Sequence, residues 1–179
     1  MGKTLIVVDC EADGPAPGLY SLVCFGAVVV EPELSRTFYG QTAPISDQWL
    51  PEALAVSGFS REEHEVFADP EETFRAFAEW LDGLTDQRPI FLSDNNGFDW
   101  QWINYYLHRY VGRNPFGHSS RRIPDLWAGF NRDIRSGGDF RRFRTTAHDH
   151  NPLNDAKGNA EAVLKMADLG LKGLGIAKA

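Results

Sequence analysis

The chain has 179 residues, 42% of them hydrophobic, and a formal net charge of −7. That size suits one domain with a substantial core, so residues 1–179 are expected to form a single unit with its core at about 4–169. No apolar run approaches the ~20 residues of a membrane span, the N-terminus lacks the apolar stretch of a secretion signal, and the acidic balance argues against a coat for duplex nucleic acid. The two cysteines lack metal-ligand spacing, which argues against a structural zinc and fits reduced thiols in the cytoplasm.

The β-branched run Leu5-Ile6-Val7-Val8 predicts a buried first strand over residues 4–9. Alternation puts Asp9 and Glu11 on one face, roughly 6–7 Å apart, with Cys10 on the other. Past the turn Asp13-Gly-Pro-Ala-Pro-Gly18, strands over Ser21–Val30 and Thr37–Thr42 continue an antiparallel meander. Pro51–Val56 reads as a short helix and Asp69–Leu84 as a stronger one. Asp69 serves as its cap, Pro70 stands in the first turn and Glu72 completes a box. Its stripe of Phe74, Phe77, Ala78 and Leu81 is core by spacing.

A fourth strand over Pro89–Ser93 leads to a helix at about 97–111 with Phe98, Trp102, Tyr105 and Tyr106 on its apolar face and Asp99 at the margin. Trp100 is the aromatic most open to base stacking. Ile123–Arg132 predicts a further helix, and Ser136-Gly-Gly-Asp139 a loop. Asn151-Pro152 predicts a capped helix running to about Leu169, with a frayed tail after Gly170. Three leading strands followed by helix–strand–helix predict an α/β fold, a mixed sheet with antiparallel strands 1–3, further parallel strands and helices on its faces. Ligands of such sheets sit outside the strand ends, where Asp9, Glu11 and Asn95–Asp99 would meet.

Charge is unevenly spread. Residues 109–144 hold nine arginines and three acids, a local +6 that leaves −13 for the rest. That pattern predicts a phosphate-contacting rim beside an acidic site. Buried acids at a strand end are costly unless a metal or hydrogen bonds compensate them.

Taken in order, Asp9-Cys-Glu11, Asn95-Asn-Gly-Phe-Asp99, and His150 five residues before Asp155 resemble the three motifs of the DEDDh 3′–5′ exonucleases. That family includes ribonuclease T, oligoribonuclease and the proofreading subunit of bacterial replicative polymerase. Glu11-Ala-Asp-Gly-Pro, Asn114-Pro-Phe-Gly and His150-Asn-Pro-Leu-Asn-Asp are more similar still to small bacterial and phage exoribonuclease-like members. The resemblance implies a ribonuclease H-like fold and two Mg²⁺ or Mn²⁺ ions on Asp9, Glu11, Asp99 and Asp155. It also implies that His150 is the general base, with His148 its competitor for that role. The expected reaction frees nucleoside 5′-monophosphates from single-stranded nucleic acid, RNA favoured over DNA. A DNA exonuclease of proofreading or repair type is the alternative, and a silent binding domain the more distant one. Homodimers are common in the family.

Substrate contacts are expected from the Ala12–Gly14 backbone, from Leu22 within Leu19–Leu22, and from Asn95 and Phe98. Asp13 stands where many members have threonine and is expected to reach a ribose hydroxyl, and Asp94 is a second surplus acid. Asp125, in Pro124-Asp-Leu-Trp127, resembles a recurring family element and is read as structural or as a support behind the metal ligands. His64, His108 and His118 are read as ordinary surface residues.

Overall fold

The computed structural model describes residues 4–174. Five strands form one sheet in the order β3-β2-β1-β4-β5. β1 (Leu5–Ala12) lies at its centre, antiparallel to β2 (Leu22–Val29), and β3 (Thr37–Gln41) pairs antiparallel with the far edge of β2. On the other side β4 (Ile90–Ser93) and β5 (Ser120–Arg122) run parallel to β1. The mixed sheet flanked by helices is as the pattern predicts.

Side-chain alternation along β1 divides the core. Ile6, Val8, Cys10 and Ala12 face an aromatic layer built on α3 (Pro70–Leu84) and α4 (Asn96–Tyr106). Leu5 and Val7 face the other layer, made by α5 (Ile123–Asn131), a 3₁₀ segment at Ile134–Phe143 and α6 (Pro152–Asp168). Asp9 and Glu11 share the parity of Leu5 and Val7, so they emerge on the α6 side.

Gly26 brings α6 close. It pairs directly with Asp9 across β1 and β2. A Cβ at Gly26 would lie 2.4 Å from the Leu153 nitrogen and 2.6 Å from the Pro152 carbonyl carbon. The bare strand backbone therefore receives the first turn of α6. Asn151 caps that turn, its side chain accepting from the N–H groups of Leu153 and Asn154, and Asp155 sits one turn in.

Three elements depart from expectation. Asp69 caps α3 by accepting from Glu71 and Glu72, while the reciprocal capping box lies upstream, at Ser60 and Glu63 of the short α2 (Arg61–Glu65). The Gly-Gly segment expected as a loop is the 3₁₀ helix, held because Phe140 is fully buried. β5 is a three-residue strand with exposed arginines, too short and too polar for a periodic signal. α4 also ends unusually, continuing as a π-helical turn over Leu107–Val111 and stopping at Gly112, whose φ of 76° suits glycine. Pro51–Val56 is α1, as read. Among the described residues no helix is long and apolar enough to cross a membrane, and Cys10 and Cys24 are buried free thiols.

Candidate active site

At the end of β1 the carboxylates of Asp9 and Glu11 meet that of Asp155, with ligand atoms of all three within 4.8 Å of one another. Asp99 lies beside them on α4. Its Oδ1 accepts the Cys10 backbone N–H at 3.2 Å, which ties the helix to the strand between the two motif acids. Oδ2 of Asp99 is buried without a hydrogen-bond partner, and Oδ2 of Asp155, equally buried, meets only the His148 imidazole. Unmatched buried oxygens are uncommon and mark a place built for something else.

The electrostatics agree. Burial, and then the charges of Asp99, Asp155 and Glu11, push the Asp9 carboxyl well above its ordinary value. Burial also raises Asp99, against hydrogen bonds from Ser93 and Cys10 that pull it down. Glu11 is pushed up to about 7, chiefly by burial and then by Asp155. A divalent cation on these oxygens would relieve both the desolvation and the mutual repulsion. The all-oxygen donor set suits Mg²⁺ or Mn²⁺, so the residues present fit the group.

Two histidines complete the cluster from the segment before α6. His150 is half exposed and takes a left-handed backbone with φ of 60°, a conformation that brings its Nδ1 to 3.5 Å from Glu11 Oε1. Asp149 braces this turn, accepting from the Asn151 backbone and the Asn154 side chain. His148 places Nδ1 2.7 Å from Asp155 Oδ2, and the two imidazoles lie 4.7 Å apart. His148, His150 and Asp155 also group within 4.8 Å.

Several expected contacts fall elsewhere. Asp13 is wholly buried, and its Oδ1 accepts the Ser21 N–H at 2.5 Å while Oδ2 pairs with Arg61 at 3.1 Å. Its backbone is also committed, the N–H to Ser21 and the carbonyl to Leu50, so Asp13 has nothing left for a ribose hydroxyl. Leu22 is a fully buried core residue on β2, and in that stretch Leu19 is the exposed one, at 59%. Ala12 is buried too, and Gly14 is capped by Tyr20, whose ring a Cβ would meet at 2.2 Å. Asn95 is exposed and offers its carbonyl to the first N–H groups of α4. Phe98 packs edge-on to Trp102, and Trp100 packs on Phe91 instead of standing free for stacking.

His64 is no surface residue. It is fully buried, Nε2 3.3 Å from the Leu22 carbonyl and Nδ1 3.8 Å from Asp13, whereas His108 and His118 are exposed. Asp94 pairs with Arg141, and Asp125 with Arg122. Arg113, Arg135 and Arg144 also hold acids, so five of the nine arginines expected as a phosphate rim are already partnered. Arg144 was not singled out by the sequence. Its contact with Asp155 spans eleven residues without a repeating pattern to signal it.

No family model matches the chain. One relative does: a 3′–5′ DNA exonuclease, Cap18, of Escherichia coli is 36% identical over 167 residues, 89% of each protein. The chain therefore belongs to the DEDDh 3′–5′ exonuclease superfamily. Solved structures agree in fold. A 3′-exonuclease studied for recognition of the histone mRNA stem-loop superposes with a TM-score of 0.73 at 16% identity, over 96% of this chain and 84% of that one. E. coli exonuclease I in a zinc-bound complex with single-stranded DNA gives 0.71 at 16% identity, over 96% of this chain and 42% of the larger enzyme.

Proposed function

We propose that this chain is a divalent-metal-dependent 3′–5′ exonuclease that removes nucleoside 5′-monophosphates from the free 3′ end of single-stranded DNA. One observation carries the reading: the carboxylates of Asp9, Glu11 and Asp155 converge within 4.8 Å, with the unpartnered Asp99 Oδ2 on the neighbouring helix and the His150 imidazole 3.5 Å from Glu11. Asp9, Glu11 and Asp155 would hold Mg²⁺ or Mn²⁺, with Asp99 behind them. The ions would neutralise charge on the phosphate and acidify the attacking water. Oε1 of Glu11 stands 3.5 Å from Nδ1 of His150, a placement that would favour the Nδ1–H tautomer and leave Nε2 to take the proton from that water. The water oxygen bonds to phosphorus as the bond to the preceding nucleotide's 3′ oxygen breaks.

DNA is favoured over RNA for two reasons. The relative at 36% identity is a DNA exonuclease, and Asp13, the residue on which ribose recognition rested, is enclosed by Arg61 and Ser21. The test uses 5′-labelled DNA and RNA oligomers of one sequence, in Mg²⁺, Mn²⁺ and EDTA, with kcat/KM and product identity read together. Stepwise release of 5′-mononucleotides, faster from DNA and abolished by EDTA, is expected. A higher kcat/KM on RNA would reverse the sugar preference alone. Binding of either oligomer without hydrolysis in either metal would overturn the enzymatic reading.

A further inference from the structure

Among the described residues, three basic side chains pair with the four motif acids, and only Arg144 carries a permanent charge. Its Nη2 donates to Asp155 Oδ1 at 2.7 Å, and its Nη1 lies 3.4 Å from the Asn159 side-chain oxygen. The side chain is only 8% exposed. The seat is shaped for it: a Cβ on Gly158 would stand 2.5 Å from Nε and 3.0 Å from Nη2. The following residues are fastened to the same helix. Glu161 accepts the N–H groups of Thr145 and Thr146 and the Thr146 hydroxyl. The segment that delivers His148 and His150 is thus pinned to α6 on two successive turns.

A structural role alone explains this poorly. The Nε of Arg144 is buried without a partner, and an apolar side chain would fill such a place at less cost. A guanidinium instead offers a rigid planar donor set that fixes the orientation of a carboxylate. By holding Oδ1 of Asp155, it leaves Oδ2 to the half-exposed His148 imidazole, 2.7 Å away, and to a cation, within a carboxylate that groups with Glu11 and Asp9 inside 4.8 Å. Because the arginine is walled in by α6, it remains on Oδ1 while Oδ2 accepts a cation.

We infer that Arg144 is a positioning residue for the divalent-cation site, seated by the missing side chain of Gly158 and acting through Asp155. The inference rests on the metal-dependent reading above. Partners that orient a metal ligand typically set affinity by about 10–100-fold.

Mn²⁺ is titrated calorimetrically into the full chain, without substrate, for the unmodified protein, Arg144→Gln, Arg144→Lys, Gly158→Ala and Arg135→Gln, with thermal melts to establish folding. Kd should rise about 10–100-fold in Arg144→Gln and less in Arg144→Lys. Gly158→Ala should match Arg144→Gln although it changes no charge. Arg135→Gln, which alters an exposed pair with Asp133, should leave Kd unchanged. If Gly158→Ala does not fold, Arg144→Gln decides. An unchanged Kd in folded Arg144→Gln overturns the inference. A tighter Kd also overturns it, by making the arginine a competitor of the metal. If the unmodified protein binds no Mn²⁺, the metal-dependent reading fails first and takes the inference with it.

Discussion

Two clusters built on buried acid, one around Asp9 and Glu11 near the end of β1 and one around Asp13 just past it, differ in how their charge is met. Asp13 is enclosed, but both its oxygens are answered, by the Ser21 amide and by Arg61, with His64 behind. Asp9, Glu11, Asp99 and Asp155 are gathered closely, yet Oδ2 of Asp99 has no hydrogen-bond partner and Oδ2 of Asp155 has only the His148 imidazole. To the burial that raises proton affinity at Asp13 as well, the repulsion of neighbouring acids is added at Asp9 and Glu11. The first arrangement is complete within the protein and stabilises the turn it sits in. The second is incomplete without a cation. Burial alone does not separate the two; the state of the last oxygen does.

The sharpest way to break this comparison is to neutralise one acid from each cluster. Asp9→Asn should cut nucleolytic turnover by more than about a thousandfold, because several kcal/mol of charge stabilisation depend on the metal site. Its melting temperature should hold or rise, since a repelling charge is gone. Full turnover by Asp9→Asn in Mg²⁺ would remove the metal site from β1. His150→Ala should lose about 10²–10⁴-fold in kcat and keep its Mn²⁺ binding, while His148→Ala loses much less. The reverse order would make His148 the base, and its 2.7 Å approach to Asp155 makes that a real contest.

Asp13→Ala should behave in the opposite sense to Asp9→Asn. It strands Arg61 and the Ser21 N–H, so urea unfolding should show a loss of about 3 kcal/mol. A loss no larger than that of Asp9→Asn would erase the distinction between the clusters.

The smallest expected effect is on pH. Glu11 binds its proton more tightly folded than unfolded, near 7 against 4.5. In EDTA its contribution to stability is therefore full below about pH 4.5 and is lost as pH climbs through 7. Melting temperature in EDTA should fall over that window, and saturating Mn²⁺ should abolish the fall. A flat profile in EDTA would mean that neither burial nor the neighbouring Asp155 raises the proton affinity of Glu11.

What the sequence disclosed follows from the range of each interaction. β1, β2 and the capped start of α6 are written in local alternation and in an Asn-Pro pair, and the motif acids lie at their ends. The surroundings of those acids are not local. The Asp99 contact with Cys10 bridges 89 residues, and that of Asp13 with Arg61 bridges 48. No periodicity distinguishes Asp13 from Asp9, or marks His64 as the histidine that is buried. The Gly-Gly segment read as a loop because its glycines are local, whereas the Phe140 contact that holds it as a 3₁₀ helix is tertiary. The arginine-rich stretch read as a basic rim because counting charge along the chain cannot see the acids folded against it.

Gly26 presents no side chain to nucleic acid, yet it sets the clearance between the two halves of the cluster. It faces Asp9 across the sheet, and the first turn of α6 rests on its bare backbone. One added methyl group would act as a shim beneath the helix, lifting Asp155 away from Asp9 while leaving every acid, histidine and arginine in the chain unaltered. A selection for nuclease activity among random variants should therefore reject even alanine at position 26, and a survey confined to the motif residues would miss the defect.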